Sequence, residues 1–434
     1  MLDPIPYNPS SLDSKLRDIL ARQIEFTPEL EASVNHIVSE VESHGDSAVL
    51  AFTKEFDRVD LTADQLVVSN TELDAAARKA DPALVRVIEE AAENIHRFHG
   101  NQKRKSWQVD DGDGVVLGKK IVPIERVGLL VPGASAPLFS TLLMAAIPAK
   151  IAGCDHIAVA TPPQPDGDIH PSVLAAAKIA DVDRVYRAFG AQAVAALAYG
   201  TESFTPVDKL VGPGHPVVQI AKKRVFGRVD IDMVAGPSEI VVVADSSANA
   251  KHVAADMLSQ AEHGSGYEAA VCVTPDPDLA AAVAEELDRQ LADLSHREAA
   301  QTALSRYGAI VTVDDLGQAS ELVNRIAPEH VELIVEDPWE IQSGIRHAGA
   351  IFLGAASSEP VGDYYAGTNH ILPTAGAARY ASSVGVDTFL KDISLISYTS
   401  HRLKRVAGSI VQMAEAEGLD GHANAIRVRL QSPE

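Results

Sequence analysis

The chain has 434 residues, too many for one hydrophobic core, and its 46% hydrophobic and 22% charged residues are the composition of a folded globular protein of two or three domains. Against 37 Lys and Arg stand 60 Asp and Glu, a formal charge of -23. Such a field repels phosphate backbones and anionic lipid, so nucleic acid and membrane surfaces are set aside as partners. Two cysteines, Cys154 and Cys272, lie in apolar strand-like runs and read as buried thiols rather than a disulfide framework.

The start, MLDPIPYNPSSLDS, lacks a basic segment followed by an apolar core, so the expected location is cytoplasmic. Residues 12–100 read mostly as helices, because LRDILARQI, VNHIVSEVESHG and LVRVIEEAAENIHRF place apolar residues three and four apart. A charged, turn-rich stretch, GNQKRKSWQVDDGDG, follows. Val127 to Ala149 carries no charge and is long enough for a bilayer, but Pro132, Gly133, Pro137 and Pro148 divide it into strand, turn and helix. From Gly128 to Asp245 the runs VGLLV, HIAVAT, RVYRA, DKLVG and IVVVAD alternate with STLLMAAIPAKIAG, PSVLAAAKIA and AQAVAALAYG. That rhythm predicts parallel strands with right-handed crossover helices. A second set has EAAVCVT, YGAIVTV, HVELIV and GAIFLG as strands and a helix around Leu279 to Leu294. Two α/β units imply two packed sheets with a ligand cleft. From about Ser382 the chain returns to helices.

Standard signatures are missing. There is no GxGxxG, no GxxxxGK[ST], no HExxH and no paired CxxC, and GPSEI around Ser238 lacks the second glycine of a nucleophile elbow. Four other constellations bring together Gln, Asp, Glu and His, three of them with glycines. In DMLSQAEHGSG, Val253, Met257 and Gln260 share a helical face and His263 lies three beyond Gln260, before Gly264 and Gly266. Two such donors suit a metal; a polar helix end, with His263 near the last carbonyls, is the more common arrangement. In APEHVELIV, Glu329 and His330 stand at a strand entrance, either as a general-base pair or as a solvated turn. In VGDYYAGTNHILPT, Asp363 and His370 follow a strand, where α/β sheets place ligands at carboxyl ends; an Asx-turn with a surface histidine is the alternative. In AEGLDGHANA, Glu417 and His422 face one site only if Gly418 and Gly421 break the helix. The residues alone reach a metal-dependent α/β enzyme and stop there.

Together these stretches resemble the histidinol dehydrogenase family from about Glu25 to the end of the chain. The resemblance rests on RVGLLVPGASAPLFSTLLMAAIPAKIAGC, GAQAVAALAYGTES, DIDMVAGPSEIVVVAD, LSQAEHG, APEHVEL, GDYYAGTNHILPT and AEGLDGHANA, in that order. It implies two successive NAD-dependent oxidations of histidinol, through histidinal, with one zinc ion per site. It also implies Gln260, His263 and Asp363 as zinc ligands, with His422 the fourth, supplied across a homodimer. Glu329 and His330 match the family's proton acceptors. Ser238, His370 and Glu417 match the substrate pocket, which the zinc ligands and His330 also line. Leu130, Gln192 and His215 match cofactor-contacting positions. The expected fold is α/β: two incomplete Rossmann-like domains of mostly parallel sheet with flanking helices, plus small helical terminal segments. Its expected parts are an arm over 1–25, a discontinuous first α/β domain of 26–127 and 239–381, a second over 128–238, and a segment over 382–434 reaching the partner subunit.

The chain departs from the family pattern on the cofactor side: Leu130 for a tyrosine, Ala134 and Phe189 for glycines, His215 for an asparagine, and GSGYEAAV without a glutamine. Two alternatives stand beside histidinol oxidation. One is a related NAD-dependent dehydrogenase of another amino alcohol or of sulfopropanediol; Ala136, Pro137 and Glu417 resemble the histidinol branch. The other is a non-catalytic zinc-binding scaffold, which has no need of Glu329 and His330. Neither cysteine lies in the four constellations of Gln, Asp, Glu and His, so a thiohemiacetal route has no nucleophile there.

Overall fold

The computed structural model describes residues 2–22, 26–133 and 136–431, so Glu25 and Ala134 lie outside it. It divides into two units, 1–102 with 124–389, and 103–123 with 390–434.

The first unit holds two parallel sheets with the same winding. In one, Arg126–Leu130 is flanked by His156–Thr161 and Lys209–Val211, with Arg184–Arg187 and Asp230–Ile231 at the edges. In the other, Glu239–Ala244 is flanked by Ala269–Thr274 and His330–Ile334, with Gly308–Thr312 and Ala350–Leu353 beyond them. Each chain path starts at the sheet centre, winds to one side, then crosses to the other, which is the doubly wound α/β arrangement. The central strands are buried on both faces, as continuous Val, Ile and Ala runs require: all six residues of Glu239–Ala244 are buried. Residues 232–238 carry the chain from the carboxyl edge of the first sheet to the amino edge of the second.

Caps fix the crossover helices. Pro171, Pro216 and Pro277 open theirs with φ already set, and Asp276 accepts from the main chain of Asp278 and Leu279. Among the described residues no helix is long and apolar enough to cross a membrane; the uncharged stretch from Val127 is strand Arg126–Leu130 and helix Phe139–Ala152.

Three expectations change. The arm over 1–25 is not wholly helical: Ile5–Pro6 pairs with Gly308–Thr312 as an edge strand, before helix Ser14–Leu20. The helices of 26–127, expected to belong with 239–381, find their apolar partners mainly on the alanine-rich helices of 139–225: Pro28–His44 packs on Ala191–Tyr199 and Pro216–Val225, and Pro82–His99 on Phe139–Ala152. The end of the chain is not all helix. In the second unit Leu390–Tyr398 pairs antiparallel with Val115–Pro123, which also pairs with Trp107–Asp110 inside the stretch read as turn-rich. Helices Ser400–Ala416 and Asp420–Gln431 follow. Leu390–Tyr398 escaped notice because its outward residues are apolar too, so it shows no period-2 alternation: beyond Leu390 every residue is exposed, Ile396 at 74%.

Candidate active site

The site forms at the amino edge of the six-stranded sheet. A crossover helix runs back against its strand, so Ala250–Ala261 delivers Gln260 to that edge. Val253, Met257 and Gln260 are fully buried, as the helical face predicted. Gly264 and Gly266, at φ +98° and +73°, then turn the chain where a side chain would be strained. His263 is exposed; its Nδ1 lies 3.2 and 3.1 Å from the Ser259 and Gln260 carbonyls, which leaves Nε2 as its lone-pair nitrogen.

His330 opens the neighbouring strand, in register with Ile240. Glu329 and His330 are 5% and 3% exposed, which removes the solvated-turn reading. His330 Nδ1 is 3.0 Å from Gln260 Oε1 and 3.3 Å from the Glu239 carbonyl. Both are acceptors, so Nδ1 carries the proton and Nε2 the lone pair. That Nε2 is buried without a hydrogen-bond partner, 4.0 Å from Asp363 Oδ1. Burial holds the imidazole pKa down to about 3, keeping the ring neutral. Glu329 Oε2 accepts from the Glu239 N–H at 3.2 Å. Burial, then the carboxylates of Glu239 and Glu359, lift the Glu329 pKa well above the usual carboxyl range.

Asp363 reaches the same edge by an unforeseen path, which corrects the expected carboxyl-end placement of Asp363 and His370. After Leu353 the chain doubles back: the N–H of Glu359 meets Glu332 Oε1 at 2.6 Å, and helix Glu359–Tyr364 brings Asp363 to His330. His370 is fixed by a proline. Pro148 sits inside helix Phe139–Ala152 and cannot donate to the Met144 carbonyl; Asn369 Nδ2 supplies that bond at 2.6 Å. His370 is thereby seated with Nε2 3.0 Å from Thr141 Oγ1 and Nδ1 3.0 Å from the Asp363 carbonyl. With both nitrogens engaged, His370 supports Asp363 rather than standing free on the surface.

Ser238 immediately precedes the strand that begins at Glu239, and its carbonyl accepts from Ala269. The positions matched to the cofactor gather at the carboxyl edge of the other sheet. Leu130 ends its strand, His215 caps helix Pro216–Val225 in an exposed position, and Gln192 is buried in the first turn of Ala191–Tyr199. Leu130 is fully buried in the core, so what it presents outward is main chain. Gly212 shows how tight this edge is: at φ +131°, a Cβ there would sit 2.3 Å from the Leu130 carbonyl oxygen. Phe189 packs half-buried against the core cluster that holds Leu130, before Gly190 at φ +86°.

Glu417 and His422 belong to the second unit and are exposed. Gly418, at φ +74°, separates the two helices, but Gly421 lies inside the second and breaks nothing.

Two site residues escaped the sequence reading. Glu239 was hidden in GPSEIVVVAD, where Ser238 drew notice, and Glu359 preceded the motif that contained Asp363. Burial, then the Asp363 charge, lifts the Glu359 pKa to about 8. His330, Glu359 and Asp363 offer donor atoms within 4.8 Å of one another. Imidazole and carboxylate are donors of the type zinc takes, and Nε2 of His330 and Oε2 of Glu359 are buried without a hydrogen-bond partner, as donors awaiting a ligand would be.

The family model described as histidinol dehydrogenase matches residues 20–430. A "Histidinol dehydrogenase" of a Synechococcus strain is 50% identical over 93% of this chain and 92% of its own length. One of Gloeobacter violaceus is 46% identical over 98% and 96%. A crystal structure of histidinol dehydrogenase from Elizabethkingia anophelis superposes with a TM-score of 0.92 at 37% identity, covering 99% of this chain and 98% of that one. The family match and the fold agree, and the chain belongs to the histidinol dehydrogenase family.

Proposed function

We propose that the protein oxidises L-histidinol to L-histidine, through histidinal, with two hydride transfers to NAD. The observation that carries this reading is the buried Glu329–His330 pair: a neutral imidazole with its Nε2 lone pair unpartnered, beside a carboxyl of raised pKa and the Asp363 carboxylate. A buried base of this kind belongs to proton transfer rather than to a scaffold.

Gln260, His263 and Asp363 would hold zinc, with His422 of the partner subunit as the fourth ligand. Bound there, zinc supplies an anchor for the substrate's amino and imidazole nitrogens, and NAD at the carboxyl edge of the five-stranded sheet, near Leu130, Gln192 and His215, supplies the hydride acceptor. His330 takes the alcohol proton at Nε2 while Gln260 Oε1 and the Glu239 carbonyl hold its Nδ1–H. Glu329 then removes a proton from the water that hydrates the aldehyde, and the second oxidation leaves the carboxylate. Ser238 and His370 line the substrate pocket. Burial of the proton-transfer pair keeps bulk water from competing.

The homodimer reading draws support from the second unit. Ile396, Met413, Leu419 and Leu430 are all exposed there, apolar side chains of the kind a second subunit covers. The test is a substrate panel with zinc and NAD: histidinol, histidinal, other amino alcohols and sulfopropanediol. The highest kcat/KM should fall on histidinol. A preference for another alcohol moves the chain to a different substrate within the family, and no NADH from any of them defeats the enzyme reading.

A further inference from the structure

Glu239 is the hub of the proton-transfer pair. Its N–H donates to Glu329 Oε2 at 3.2 Å, and its carbonyl faces His330 Nδ1 at 3.3 Å. Its side chain is held from two directions. Ala375 N–H donates to Oε1 at 2.6 Å, and Arg22, from the N-terminal segment, donates to Oε2 at 2.5 Å. Arg22 also donates to the carbonyls of Tyr267 and Pro237 and lies over the ring of Tyr307. Both side chains of the ion pair are about 95% buried, with 4% and 5% exposed.

We propose that Arg22 and Glu239 are positioning residues for the reaction: the N-terminal segment drives a guanidinium against Glu239 and so fixes the one main-chain unit that orients both Glu329 and His330. The ion pair touches neither substrate nor cofactor. Its effect runs through the tautomer and angle of His330 and the placement of the Glu329 carboxylate, where shifts well below an ångström matter. Arg22 also fixes Pro237, beside Ser238. A cavity of about 100 Å³ lies next to the pair, lined by Arg22, Glu239, Gly376 and Arg379, large enough to admit a small planar cation when the arginine is shortened.

The inference rests on the proposed proton-transfer roles, so its test reads structure as well as turnover. Arg22→Ala should lower kcat for histidinol about 100-fold, with KM little changed and zinc content equal to wild type. Millimolar guanidinium should restore much of the loss, and Arg22→Lys should retain part of the activity. Because a lone buried carboxylate destabilises the fold, Arg22→Met/Glu239→Gln is made alongside: it should recover thermal stability without recovering kcat. In parallel, the His330 Nδ1–H resonance of the metal-free protein should shift and exchange faster in Arg22→Ala. Wild-type kcat in Arg22→Ala, or full kcat in the double variant, overturns the positioning role. An unchanged His330 resonance overturns it whatever the substrate proves to be, while a wild-type protein inert to histidinol defeats only the substrate reading.

Discussion

Replacing Glu329 by Gln separates the two oxidations. The amide keeps an oxygen for the Glu239 N–H, which now meets Glu329 Oε2 at 3.2 Å, so the local main chain has no reason to move. What disappears is a proton acceptor. General-base assistance of this kind is worth about 10²–10⁴-fold in rate, or about 3–5 kcal/mol in the barrier. The loss should fall on histidinal oxidation, where water must be activated, and much less on histidinol oxidation, for which His330 is the proposed base. Stability should move the other way. Burial raises the Glu329 pKa above its unfolded value, so wild-type stability falls as pH rises above the unfolded carboxyl pKa, about 4.3. A neutral amide has no such dependence, and the variant should melt at or above the wild-type temperature near neutral pH. Each half-reaction is followed by NADH absorbance, starting from histidinol or from histidinal, with calorimetry alongside. His330→Asn is the control and should damage both steps. Equal damage to both steps by Glu329→Gln, or a fall in melting temperature matching the lost activity, would refute this division of labour.

His263→Ala should release zinc and abolish turnover while leaving the fold, since His263 is exposed at a helix end and carries little of the core; metal analysis and circular dichroism check this, and retained zinc with activity would misplace the site. Inactive His422→Ala and His263→Ala chains, dissociated and re-formed together, should regain activity, because a heterodimer with a shared site has one intact centre out of two; a mixture that stays dead places His422 in its own subunit. Glu332→Gln should be tolerated and should flatten the pH dependence of stability. Burial, then Asp256, lifts the Glu332 pKa to about 10, so the stability of the wild-type metal-free protein should fall as pH rises above the unfolded carboxyl pKa. Melting curves from pH 5 to about 9 read it, and a variant with wild-type slope contradicts the assignment.

The strands of both sheets were legible because parallel strands buried on both faces are continuous apolar runs, as in IVVVAD and HIAVAT. Gln260 and His263 were legible as neighbours because helical spacing fixes which side chains adjoin. Their depth was not: one helix turn separates a fully buried Gln260 from an exposed His263. Burial also decided Glu329 and His330, for which a strand entrance on the surface and one under a helix end read alike. Asp363 and His370 pointed to a loop but to the wrong edge of the sheet, because the return path after Leu353 is set by the Glu359–Glu332 bond and the Asn369–Met144 bond, neither of which leaves a periodic trace. Glu239 and Arg22 lie 217 positions apart, a pairing no local pattern can report. Leu390–Tyr398 was missed because its exposed face is apolar.

Counting NADH is the most direct test of histidinol oxidation. Purified protein with zinc and excess NAD, given a limiting amount of histidinol, should release two NADH per histidinol and leave histidine, and the same protein after chelation should release none until zinc is restored. One NADH per histidinol with aldehyde left over, or undiminished turnover in the chelated protein, would contradict it.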